Sequence, residues 1–126
     1  MDGVYAAEGS GPGDEQVWAA GSSGIYKLTQ QGSIKGWKKY YPSPYINAWA
    51  IHGSDKDNIW AVGYNGYIVY WNGKVWAKQA SSTAIALRGI WAASSKSVYA
   101  VGEAGQILRY NGQKWTQMKS PVKSTL

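Results

Sequence analysis

The sequence predicts an all-β chain built as three tandem copies of one four-stranded antiparallel unit. Two observations carry this expectation. The first is a repeat with a period near 40 residues. The second is a composition in which eight Trp, ten Tyr and sixteen Gly stand beside no Phe at all. Aromatic side chains favour pleated, half-buried surfaces, and glycines supply tight turns between short strands.

The repeat is clearest in "IWAVGYNGYIVYWNGKVWAKQ" from Ile59 and "VYAVGEAGQILRYNGQKWTQM" from Val98. A looser copy, "VWAAGSSGIYKLTQQGSIKGWKKY", starts at Val17. Trp18, Trp60 and Tyr99 recur at steps of 42 and 39, and Gly21, Gly63 and Gly102 follow them, as do Gly24, Gly66 and Gly105. Trp37, Trp76 and Trp115 recur at 39 and 39. Upstream, Tyr5, Trp49 and Trp91 align in "VYAA", "AWAI" and "IWAA". A period of about 40 is the length of one four-stranded β-propeller blade.

Each period divides into four strand-like pieces. In the middle copy they run over 46–51, 59–63, 67–71 and 75–79. Gly, Asn, Asp and Ser punctuate every junction. Asn72-Gly73 and Asn111-Gly112 read as type I′ hairpins. Within the third strand, Val69 and Trp71 point one way and Ile68 and Tyr70 the other. Both sides are apolar, so the middle sheet is expected to be buried on both faces. The expected organisation is one unit, 1–126, of three blades at about 3–45, 46–86 and 87–120.

The pattern Trp60-Ala61-Val62-Gly63, Gly66, Ile68, Asn72-Gly73, Trp76 resembles bacterial β-propeller repeats of the sialidase and tectonin types. Tyr99-Ala100-Val101-Gly102, Gly105, Ile107, Tyr110-Asn111-Gly112, Trp115 repeats it. The resemblance spans roughly 3–119 and implies a propeller fold, with a lectin-like, carbohydrate-binding role as its functional suggestion. The sialidase Asp box is absent, and Ser54-Asp55-Lys56-Asp57-Asn58 only echoes it. That counts against a glycosidase.

Propellers close with four to eight blades, so three leave an arc with two open faces. The expectation is half of a six-bladed propeller closed by homodimerisation, with a nine-bladed trimer as the alternative. The chain is read as whole blades, starting on a first strand and ending after a last one. A structural or engineered half-propeller, whose main property is self-assembly, is a second reading.

Catalytic chemistry finds no constellation. The single histidine, His52, reads as an imidazole in a loop or at a blade edge, without a Ser or acid at triad spacing. Asp55 and Asp57 read as turn residues, Glu103 has no carboxylate mate, and no cysteine offers a nucleophile or thiolate. The sequence therefore predicts no enzyme, no cofactor and no metal site.

Two sets of residues remain as binding candidates. One is the basic aromatic stretch "IKGWKKYYPSPYIN", with Lys38, Lys39, Tyr40, Tyr41 and Tyr45 beyond the repeat anchor Trp37. Such residues suit a glycan or, as a lesser alternative favoured by the net charge of +6, a nucleic acid or anionic glycan. The other comprises the loops at one end of the blades, with Tyr64, Tyr67, Arg88, Glu103 and Gln106. No basic segment leads into an apolar run at the N-terminus, and no stretch is long enough to span a bilayer. No signal peptide or membrane partner is expected, and the chain reads as soluble, of secreted or cell-surface origin, with its compartment open.

Overall fold

A computed structural model describes residues 3–7, 16–21, 24–31, 34–40 and 48–118. They form three antiparallel sheets, each of four strands in simple meander order. Sheet I holds β1 (Gly3–Ala7), β2 (Gln16–Gly21), β3 (Gly24–Gln31) and β4 (Ile34–Tyr40). Sheet II holds β5 (Ala48–Asp55), β6 (Asn58–Gly63), β7 (Ile68–Trp71) and β8 (Trp76–Gln79). Sheet III holds β9 (Leu87–Ser94), β10 (Ser97–Gly102), β11 (Ile107–Tyr110) and β12 (Trp115–Met118). The three-copy repeat is thus three sheets.

The local chemistry of the turns explains the boundaries. The β5–β6 turn is only Lys56 and Asp57, because Asp55 carboxylate oxygens accept from the Asp57 backbone N–H at 2.8 Å and from Asn58 Nδ2 at 3.0 and 3.1 Å. Strand β5 therefore runs on through His52, Gly53 and Ser54, which the sequence reading gave to a loop.

The left-handed pair expected at Asn72-Gly73 lies elsewhere. It sits at Asn65-Gly66 (φ 59° and 71°) and Ala104-Gly105 (φ 58° and 70°), between second and third strands. Tyr67 N–H and Gln106 N–H close these turns onto the carbonyls of Tyr64 and Glu103. Only Gly73 and Gly112 are left-handed at the other junctions, where Trp71 pairs with Trp76 and Tyr110 with Trp115 across four-residue loops. The Asn72 and Asn111 amide oxygens hold those loops by accepting from the two backbone N–H groups that follow each glycine, at 2.9 and 3.0 Å.

Strand pairing also corrects the repeat alignment. Tyr5 pairs with Trp18, His52 with Trp60 and Trp91 with Tyr99. The structural equivalents are therefore Tyr5, His52 and Trp91, whereas Trp49 corresponds to Arg88. The "AWAI" and "IWAA" strings mimic each other three residues out of register.

The sheets stack face to face with two apolar interfaces. Between I and II lie Trp18, Ile25, Ile59, Val69, Trp71 and Trp76. Between II and III lie Trp60, Ile68, Leu87, Val98, Leu108 and Trp115. Sheet II is buried on both sides, as its strand pattern requires. Neighbouring sheets approach most closely along their first strands, where β5 meets β1 and β9. Small residues such as Ala48, Ala61 and Ala100 allow that approach, while Trp pairs fill the space towards the later strands.

Candidate functional site

The site grows from two bulges. In β5 the register slips between Ala48 and Ala50, leaving Trp49 as the extra residue; in β9 it slips between Leu87 and Gly89, leaving Arg88. A bulged residue leaves the ladder and its side chain is re-aimed. Here both turn to the end of the sheets where the Tyr64–Gly66 and Glu103–Gly105 turns lie.

The result is a compact cluster. The Arg88 guanidinium lies over the Trp49 ring, 4.7 Å from its centroid. Tyr64 meets Trp49 edge-on at 5.9 Å. Arg88 Nη2 and Nε both donate to Glu103 Oε1, at 2.7 and 3.2 Å. Both ends of that ion pair are about half exposed, so it positions the groups more than it stabilises the fold. Beside it, Tyr64, Asn65, Ile85, Ala86, Glu103 and Ala104 line an open hollow of about 350 Å³.

The hollow has a firm base. A Cβ on Gly66 would lie 2.3 Å from the Thr83 carbonyl oxygen, and one on Gly102 2.3 Å from that of Ala86. The 80–86 connection therefore packs directly onto the turns. Thr83 Oγ1 donates to Gln106 Oε1 at 3.2 Å and accepts from Ile85 N–H at 3.1 Å. Gln106 thus acts as a support for the connection. Tyr67 is turned away: it packs against the sheet I–II interface beneath the Lys78 ammonium, 4.8 Å from the ring centroid.

Of the basic aromatic stretch, the described part is strand β4. Strand alternation places Lys38 on the face of β4 turned to sheet II, cross-strand from Lys27, and Lys39 on the other. The Lys39 ammonium lies 5.8 Å over Tyr26. Burial, and then the Lys38 charge, holds the Lys27 ammonium below its ordinary pKa. The backbone of Tyr40 closes β4, and Tyr41 and Tyr45 fall outside the described residues.

His52 has a structural setting the sequence did not reveal. Its ring stacks on Trp91 at 4.2 Å, and its Nδ1 accepts from the Ala92 backbone N–H at 2.9 Å. Burial lowers its pKa. Among the described residues, no three His, Cys, Asp or Glu side chains gather as a metal site would require, and no helix is long and apolar enough to cross a membrane.

Of the sequence candidates, the structure brings together Tyr64, Arg88 and Glu103, with Gln106 as support. Trp49 was missed, because the repeat alignment gave it to the core as a counterpart of Trp91. Its equivalent in sheet III is Arg88, and the bulges that set both residues apart leave no mark in the repeat spacing. No protein-family model matches the chain, and no curated relative matches it.

Proposed function

We propose that the chain is a non-enzymatic binding module of β-propeller type that takes carbohydrate at the Trp49–Tyr64–Arg88–Glu103 cluster. The observation that carries this reading is the convergence of two aromatic rings, a guanidinium and a carboxylate beside an open hollow. Aromatic rings offer flat apolar faces to the C–H side of a pyranose. Glu103 oxygens accept from sugar hydroxyls, and the Asn65 amide both donates and accepts. The half-exposed ion pair leaves both charges accessible to a ligand. The propeller reading draws support from sheets that converge along their first strands and widen outwards.

The nucleic-acid reading draws less support, because Lys38 and Lys39 lie on opposite faces of β4. The test is a glycan array followed by titration calorimetry on a hit. Tyr64→Ala and Glu103→Gln should each weaken binding at least about tenfold, roughly 1.4 kcal/mol. Lys38→Ala and Lys39→Ala should leave it unchanged. Silence across the array, or binding that ignores Tyr64 and Glu103, would reject the proposal.

A further inference from the structure

We infer that the outward face of sheet III is a docking surface for a second copy of this chain, and that it receives the outward face of that copy's sheet I. The inference rests on the blade reading above, and it goes beyond it by naming the two surfaces and the residues that meet.

The two interfaces inside the chain use equivalent positions. Trp18 faces sheet II as Trp60 faces sheet III, both at 1% exposure or less. Trp76 answers Trp18 as Trp115 answers Trp60, and both are buried. The third member of each set lies on a face with no neighbouring sheet among the described residues. Tyr99, at the Trp18 and Trp60 position, is 36% exposed. Trp37, at the Trp76 and Trp115 position, is 45% exposed. Met118, at the Gln79 position, is 43% exposed.

These exposed groups are complementary halves. Sheet III offers the side that sheet II presents to it, with Val101, Ile107 and Met118 in the places of Val62, Ile68 and Gln79. Sheet I offers the side that sheet III presents to sheet II, with Leu28 and Trp37 in the places of Tyr110 and Trp115. Such a contact is head-to-tail, and two copies related by a two-fold axis make it twice and close a ring of six sheets. Arg109 prepares the surface: it donates to the Tyr99 hydroxyl at 3.3 Å and lies 5.9 Å over the ring, holding it.

One difference makes the inference sharp. In the interface between sheets II and III, the Gln79 amide oxygen accepts from the Trp115 indole at 2.8 Å. At the seam, Met118 would meet the Trp37 of the second copy, and a thioether is a weak acceptor. Restoring an amide should tighten the assembly.

Sedimentation velocity on the 126-residue chain tests this. The expected particle has about twice the 13.7 kDa monomer mass. Tyr99→Asp and Trp37→Asp, both at exposed positions, should each raise the dimer dissociation constant more than about tenfold with the far-ultraviolet circular dichroism retained. Met118→Gln should lower it. A monomer at every concentration, or a dimer that ignores both aspartates, overturns the inference. Glycan binding by the dissociated Tyr99→Asp monomer separates failure of the seam from failure of the binding site.

Discussion

The two sheet–sheet interfaces are built from the same positions, yet they solve one problem differently. Each buries indole rings whose N–H groups need an acceptor. Between sheets II and III, Gln79 meets that need twice: its amide oxygen accepts from Trp60 at 3.1 Å and from Trp115 at 2.8 Å. Its amide nitrogen reaches the Tyr110 hydroxyl at 3.5 Å. Between sheets I and II, the equivalent position is Tyr40, and Trp18, Trp71 and Trp76 make an aromatic cluster with centroids 5.0–5.7 Å apart. The Trp76 indole N–H there has no hydrogen-bond partner among the described residues. Packing geometry recurs with the repeat, whereas polar satisfaction depends on one side chain that does not repeat.

The largest effect should follow loss of that side chain. Gln79→Leu leaves the Trp60 and Trp115 N–H groups buried and unmet, which should cost about 2–4 kcal/mol in urea denaturation. A cost below about 1 kcal/mol would mean that the amide does not join the sheets.

A second comparison concerns the equivalent turns of sheets II and III. Asn65 holds the left-handed conformation readily; Ala104, at φ 58°, does so against its Cβ. Ala104→Asn should therefore stabilise the chain by about 0.5–1 kcal/mol, read as a higher urea midpoint at unchanged slope. A lower midpoint would show that the turn is not strained there.

The smallest effect is a pH dependence belonging to the interface between sheets II and III. His52 Nδ1 accepts from the Ala92 N–H only as neutral imidazole. Burial lowers its folded pKa below the ordinary imidazole value, so the unfolded chain binds the proton more readily. Stability should be fully present above the unfolded pKa and should fall as pH drops from about 7 through the folded value. His52→Gln should flatten that part of the profile. An unchanged profile would assign the slope to other groups.

Much of the fold was legible because strand faces and turn residues are local signals. Val69 and Trp71 against Ile68 and Tyr70 announced a sheet buried on both sides. The register of the first strands was not legible, since bulges at Trp49 and Arg88 insert residues that no period shows. That hid both the stacking of His52 on Trp91 and the role of Trp49. The positive-φ turns were misplaced because Asn-Gly occurs at two of the three junctions of sheet II. The backbone bond from Tyr67 N–H to the Tyr64 carbonyl marks the junction that holds the left-handed pair. Of the candidate site, Tyr64, Arg88 and Glu103 were legible from their loops, but their contacts depend on how neighbouring sheets pack.

The central claim is that the two interfaces share a packing plan and differ in one polar staple. Matched urea unfolding of Trp76→Phe and Trp115→Phe tests it most directly. Both substitutions remove similar apolar surface, but only Trp115 gives up a hydrogen bond. The account predicts that Trp115→Phe loses about 1 kcal/mol more than Trp76→Phe. Equal losses, or a larger loss at Trp76, would contradict it.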